Sequence, residues 1–265
     1  MLLGNKNAVI YGAGGAIGGA VARAFAREGA RVFLAGRTLA KLDAVAKDIS
    51  AAGGVAKTAE VDALDEQAVN KHADAVAAIA GGIDIALNAV GILHVQGPPL
   101  AEVTAEDYMH PIKAYTRTNF LTAKAVARHM AKRGAGVILT LSTPGARLTG
   151  PGFLGNGVSS AAVEAFSRIL AGELGASGIR VVCLRPHAIP EAVAASHTRE
   201  IFSEHAARAG ITVDDWLAGL AGAGTLLKRL PTLAEVANFV AFVASDRAGA
   251  MTGAIVNLTC GSLVD

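Results

Sequence analysis

The stretch Asn7-Ala8-Val9-Ile10-Tyr11-Gly12-Ala13-Gly14-Gly15-Ala16-Ile17-Gly18 decides how this chain folds. Five residues suited to a buried strand run into a glycine cluster, and the cluster opens a pattern in which Ile17, Val21, Ala24 and Phe25 recur at helical spacing. Glycines at such a junction let the backbone turn tightly and approach a pyrophosphate. The phosphate charge is then met by the free N–H groups at the helix N-terminus. A glycine cluster alone says little. With a strand before it and a helix after it, it predicts a dinucleotide-binding βαβ unit with Gly12, Gly14, Gly15, Ile17 and Gly18 at the ligand.

Outward from this unit, short apolar runs alternate with helical patterns. Strands are expected at Asn7–Tyr11, Arg31–Ala35, Val55–Glu60, Ile83–Asn88, Gly136–Leu141, Arg180–Leu184 and Ala254–Leu258. Such alternation predicts an α/β fold: a doubly wound, seven-stranded parallel sheet in three layers, its helices on both faces. The helix after Thr104 holds Pro111 in its early turns and is expected to start or kink there. From Pro190 to Pro231 helical patterns are interrupted by Gly210, Gly219, Gly222 and Gly224, with Trp216 among them. This segment reads as a glycine-hinged lid over a substrate pocket; the alternative is a surface excursion that serves oligomer packing. No repeat or linker divides residues 1–265, so a single domain is expected, with residues 190–231 as its helical lid.

Composition sets the outer bounds. The 265 residues are 52% hydrophobic, enough for one large core, and only 17% are charged. With a mean hydropathy of +0.43, that leaves much surface apolar or buried between subunits and points to a homo-oligomer, a tetramer or dimer. The net charge of +2 comes without a Lys/Arg-rich window, which argues against a nucleic-acid partner. No apolar run approaches the ~20 residues that a membrane-spanning helix needs. The first residues lead straight into a strand without a signal-peptide layout. Cys183 and Cys260 lack metal-ligand spacing and read as buried small hydrophobes in a reducing cytoplasm; no metal site is expected.

Over its whole length the sequence resembles the short-chain dehydrogenase/reductase superfamily, a Rossmann-type fold. The family's TGxxxGxG corresponds to Tyr11, Gly12, Ala16 and Gly18, with Tyr for Thr and Ala for the middle Gly. Val61-Asp62-Ala63 matches the Asp that meets the adenine ring. Asp84-Ile85-Ala86-Leu87-Asn88-Ala89-Val90-Gly91 resembles DILVNNAG, keeping Asn88 and replacing the second Asn by Ala89. Met251-Thr252-Gly253 and Gly261 echo the closing motif, with Thr259 and Cys260 in its Asp and first Gly positions.

The end of the second strand discriminates between cofactors. NAD users place an acidic residue there to bond the ribose hydroxyls, and its charge would repel a 2′-phosphate. This chain has Gly36-Arg37-Thr38. Glycine leaves room, the guanidinium can take a phosphate bidentately and Thr38 adds a hydroxyl, so NADP(H) is the expected cofactor. Read without a ligand, Arg37 is a solvated residue at a helix start.

At the nicotinamide end the family pattern fails. The resemblance implies a general-acid Tyr, a Lys that lowers its pKa, a Ser that orients the carbonyl and an Asn that anchors a relay water. Counted from intact flanks such as Gly157–Glu164 (GVSSAAVE), the Tyr position holds Asn156, the Lys position Ser160 and the Ser position Thr143 after Ser142. The Asn position holds Tyr115, not Asn119. After Pro186 the usual Gly is His187, Ile189 is kept, and the Thr that touches the carboxamide is Glu191. Neither Asn nor Ser titrates near neutrality. Three residues could compensate: Tyr115 with a phenol, His187 with an imidazole in the useful range, and Thr143, with Ser142 beside it, as donor to an oxyanion. Each also has a structural account, as a packing aromatic, a hydrogen-bonded loop histidine and a strand-end threonine. Glu191 reads as a hinge residue.

Halogen-releasing relatives keep the Tyr and lose the dinucleotide glycines; this chain does the reverse. The expected activity is therefore NADP(H)-dependent hydride transfer to or from a small apolar carbonyl compound or conjugated alkene. The competing readings are a non-catalytic NADP-binding sensor or structural subunit, and a non-redox lyase or isomerase on the same scaffold. Specificity is expected to lie in Pro190–Pro231 and around Leu93–Pro99.

Overall fold

The computed structural model describes residues 1–264. Seven strands, β1 (Asn7–Tyr11), β2 (Arg31–Gly36), β3 (Val55–Glu60), β4 (Ile85–Asn88), β5 (Gly136–Leu141), β6 (Ile179–Pro186) and β7 (Ile255–Leu258), form one sheet. Their order is β3-β2-β1-β4-β5-β6-β7, and every pairing is parallel. The chain winds outward from β1 to β3, then returns to β4 on the other side of β1. That reversal leaves a crevice at the carboxyl ends of β1 and β4, the place where such sheets bind ligands.

Successive residues of β1 point to opposite faces and enter two separate cores. Ala8 and Ile10 join Phe25 of α1 (Ala16–Arg27) and Val236 and Val240 of α9 (Leu233–Ala244). Val9 and Tyr11 join Val69 and Ala73 of α3 (Glu66–Ala80) and Val126 and Met130 of α4 (Ala105–Arg133). The remaining sheet-covering helices are α2 (Leu39–Ala51) and α5 (Leu154–Leu174). Burial on both faces is why the inner strands β1, β4 and β5 are almost continuously apolar, whereas the edge strand β3 is exposed or half-buried throughout and carries Lys57, Thr58 and Glu60.

Gly12, at φ +80°, makes the turn out of β1, and a Cβ there would collide with the Ala89 backbone carbonyl at the end of β4. The glycine loop and β4 therefore meet directly. Tyr11 points away from this loop into the core. Its ring meets His72 of α3 edge-on at 5.5 Å, and its hydroxyl lies 3.3 Å from His72 Nδ1.

The helix α4 corrects one expectation. It begins six residues ahead of Pro111, where Thr104 Oγ1 accepts the Asp107 N–H at 3.0 Å, so the cap and not the proline sets its start. Strand bounds shift slightly: β2 includes Gly36, β4 starts at Ile85, β6 runs Ile179–Pro186, and β7 starts at Ile255.

Between β6 and α9 the chain forms three helices, α6 (Pro190–Ala195), α7 (Thr198–Arg208) and α8 (Val213–Gly222). They carry a core of their own, Val193, Ala206, Val213, Leu217 and Leu230, with Phe202 and Trp216 packed against it at a ring separation of 4.5 Å. His205 lies 5.7 Å from Trp216 and 4.3 Å from Phe153 at the start of α5. A capping box between Thr212 and Asp215 starts α8. Among the described residues, no helix is long and apolar enough to cross a membrane.

Candidate functional site

One continuous cleft of about 620 Å³ runs across the carboxyl ends of the strands. Its first end is formed by Gly12, Gly14, Gly15 and Ile17, by Gly36-Arg37-Thr38, by Asp62 and Ala63 after β3, and by Asn88, Ala89 and Gly91 after β4. Gly18 lies behind the loop instead of on the cleft: a Cβ there would collide with the Gly12 carbonyl, so Gly18 lets α1 pack against the turn. Arg37 and Thr38 are exposed at the mouth. Lys41, not singled out from the sequence, joins them on the first turn of α2; its four-residue spacing from Arg37 was the available signal.

Two of these residues also serve the backbone. Asn88 is buried; its Oδ1 accepts the Val90 N–H at 3.0 Å and its Nδ2 donates to Thr122 Oγ1 at 3.1 Å, which ties the end of β4 to α4. Asp62 Oδ1 accepts the Leu64 N–H at 2.9 Å. No metal-holding group of three or more His, Cys, Asp or Glu exists among the described residues.

At the other end Tyr115, Thr143, Asn156, Ser160 and His187 line the same cleft, with Ile189, Phe153 and Trp216 on its apolar walls. Thr143 and Ser160 are hydrogen-bonded through their hydroxyls at 2.9 Å. Asn156 is in the first turn of α5; its Nδ2 and Thr143 Oγ1 lie 3.1 and 3.2 Å from the point that a Gly145 side chain would occupy. Ser142 donates its proton to Glu164 Oε1 at 2.8 Å and is not free to donate to an oxyanion. Glu164 in turn takes a two-point ion pair from Arg185, Nε to Oε1 and a second guanidinium nitrogen to Oε2, both at 2.7 Å and both side chains buried. This pair fastens α5, and so Asn156 and Ser160, to the end of β6.

Tyr115 and His187 are both held neutral. The Tyr115 hydroxyl accepts the Ile92 N–H at 3.3 Å, and burial, partly offset by this bond, pushes the phenol pKa above its ordinary value. Beside it, His94 Nδ1 lies 2.7 Å from the Ile92 carbonyl and so carries the proton; its Nε2 accepts from Gln96 Nε2 at 2.8 Å. At His187, Nδ1 accepts the Ala188 N–H at 2.7 Å, which places the ring proton on Nε2, and burial pushes the imidazole pKa down. Glu191 is exposed in the first turn of α6 and does not line the cleft.

Comparison with known proteins agrees with this architecture. A family model described as enoyl-(acyl carrier protein) reductase matches residues 12–262. The chain is 32% identical over 184 residues to gluconate 5-dehydrogenase of Gluconobacter oxydans, covering 69% of this chain and 71% of that protein. It is 29% identical over 260 residues to 7alpha-hydroxysteroid dehydrogenase of Clostridium sardiniense, covering 98% and 94%. Among solved structures, a short-chain dehydrogenase/reductase from Burkholderia xenovorans superimposes with a TM-score of 0.84 at 27% identity, covering 98% and 97% of the two chains. A xylitol dehydrogenase with NAD+ bound does so at 0.90 and 24% identity, over 98% and 100%, a likeness of fold. The chain belongs to the short-chain dehydrogenase/reductase superfamily of oxidoreductases.

Proposed function

We propose that this chain is an NADP(H)-dependent oxidoreductase that moves hydride to or from an apolar carbonyl compound or conjugated alkene, working as a homo-oligomer. One observation carries the reading: a single cleft joins an open, cationic dinucleotide end to a cluster of neutral hydrogen-bond donors at the other. The dinucleotide end fits the cofactor. The glycine loop leaves backbone exposed, no carboxylate stands at Gly36-Arg37-Thr38, and Arg37 and Lys41 offer charge to a 2′-phosphate.

Bound NADP(H) supplies or takes up the hydride. The protein's part is to hold the reacting oxygen. In the Thr143–Ser160 pair one hydroxyl donates to the other, and the second keeps its proton for a ligand. His187 offers Nε2–H, and Tyr115, whose oxygen accepts the Ile92 N–H, keeps its own O–H. Asn156 stands where the family has its tyrosine and adds a neutral amide. These groups can stabilise an enolate or alkoxide by hydrogen bonds; Thr143, Ser160 and Asn156 carry no proton that titrates near neutrality, and Tyr115 and His187 are held in their neutral forms. That balance supports conjugated alkenes over simple ketones, since hydride delivery to carbon needs enolate stabilisation more than an immediate proton.

The test is turnover of NADPH with paired ketones and enones, and of NADP⁺ with alcohols, by wild type, Thr143→Val and Tyr115→Phe. Removing an oxyanion donor at Thr143 is expected to cut kcat about 10²–10³-fold. Saturable NADPH binding with no hydride transfer on any substrate would defeat the redox reading and leave a non-catalytic binding protein. Unimpaired Tyr115→Phe would remove the phenol from the mechanism.

A further inference from the structure

Side chains from three elements converge at the dinucleotide end of the cleft without partners of their own. Arg37 leaves β2, Lys41 stands on α2, and His197 joins α6 to α7; all three line the cleft. Among the described residues none of the three makes a side-chain hydrogen bond or ion pair. His197 is exposed at the mouth, yet its ring lies against the chain after β4: a Cβ on Gly91 would stand 2.8 Å from Cε1 and 3.2 Å from Nε2. The imidazole thus crosses from the helical segment to the cleft floor, and it can do so because residue 91 has no side chain.

We infer that His197 is the third member of a phosphate-binding cluster with Arg37 and Lys41, through which the helical segment closes on a bound dinucleotide. This rests on the NADP(H) reading given above. The charged groups that act on the imidazole are Lys41, Arg37 and the Glu200 carboxylate of α7, and His94 senses it in turn. Partial burial, then Lys41, then Arg37 push its pKa down, and Glu200 opposes them. An arriving phosphate replaces that surplus of positive charge with a dianion and draws a proton onto His197. Binding therefore takes up a proton, and the protein's share of the affinity rises as pH falls. The 2′-phosphate and the diphosphate offer the same chemistry, and comparing NADP⁺ with NAD⁺ separates them.

The test is calorimetric titration of NADP⁺ and NAD⁺ into wild type, His197→Gln and Gly91→Ala from pH 6.0 to 8.5. Gln keeps a neutral hydrogen-bonding side chain, and Gly91→Ala leaves His197 titratable but pushes its ring away. Any titration of the ligand phosphate affects all three proteins alike, so the ratio of wild-type to variant affinity isolates the imidazole. The expected ratio is about tenfold at pH 6.0, the worth of one charged hydrogen bond, falling toward unity at pH 8.5. The same fall of the ratio with rising pH is expected for Gly91→Ala, on top of any pH-independent cost of a methyl group in the cleft. Loss confined to NADP⁺ places the contact at the 2′-phosphate with Arg37; equal loss for both ligands would place His197 at the diphosphate, apart from Arg37, and overturn its membership of the cluster. Saturable wild-type binding with a ratio that stays flat with pH would overturn the role of His197 while keeping the cofactor. Failure of wild type to bind either dinucleotide would overturn both.

Discussion

Replacing Arg37 by Ala removes the guanidinium at the end of β2, and NADPH affinity is expected to fall by about 2 kcal/mol, roughly thirtyfold. NADH affinity should stay unchanged, because no 2′-phosphate reaches that position. Equal calorimetric affinities for both dinucleotides in wild type would refute the preference. At the reacting end, single residues matter through which proton each holds. The N–H of Ala188 decides the tautomer of His187, and the Ile92 carbonyl decides that of His94. Neither constraint was legible beforehand, since both come from backbone groups that only the folded loops bring to the rings. Thr143 and Asn156 could be placed by counting from intact flanks, but the bond from Thr143 to Ser160 could not.

Among the elements, α3 carries a pH dependence into the core. Burial lowers the His72 pKa to about 4, against 6.5 for a solvated imidazole. Between those values the unfolded chain binds a proton that the folded chain excludes. The stability this neutral ring contributes is therefore complete above about pH 6.5 and is lost as pH falls toward 4, by up to about 3 kcal/mol. Urea unfolding of wild type and His72→Gln at pH 7 and pH 4.5 checks this: the variant should lose less stability between the two. A second element-scale prediction concerns the tie between α5 and β6. Glu164→Leu leaves Arg185 buried without its carboxylate and should destabilise by about 3–5 kcal/mol, read from the shift of the denaturant midpoint.

The inner strands were legible because a parallel sheet buried on both faces is written there as nearly unbroken apolar runs. The helix start at Thr104 was obscured by Pro111, a residue whose tolerance depends on packing: Pro111 is buried, and a Cβ on Gly155 of α5 would come within 2.9 Å of its ring. Periodicity tells which face of a helix is covered, not what covers it. That is why Tyr11 and His72, sixty-one residues apart, could not be matched from the sequence, nor His197 with Gly91.

For the whole molecule, part of the apolar surface anticipated from composition lies on α4 and α5. Leu154, Val158 and Ile169 are exposed at helical spacing on α5, and Phe120 is exposed on α4. If this stripe is where copies meet, light scattering should give a multiple of 26.7 kDa, and Ile169→Glu should lower the mass. A wild type that remains monomeric at high concentration would contradict the oligomer reading.

Trp216 is the chain's single tryptophan, and it stands on the wall of the cleft against Phe202 and His205. Optically, the protein therefore has one address. Its indole emission reports neither of the sheet's two cores nor the far surface, only the helical segment at the cleft, where an apolar substrate would displace water and where α7 and α8 would move. Entry of a non-absorbing apolar ligand should shift that emission to shorter wavelength, and stopped-flow recording should time the event without any attached dye. In Trp216→Phe the signal should vanish. Emission that stays constant while calorimetry shows such a ligand binding would place the ligand elsewhere.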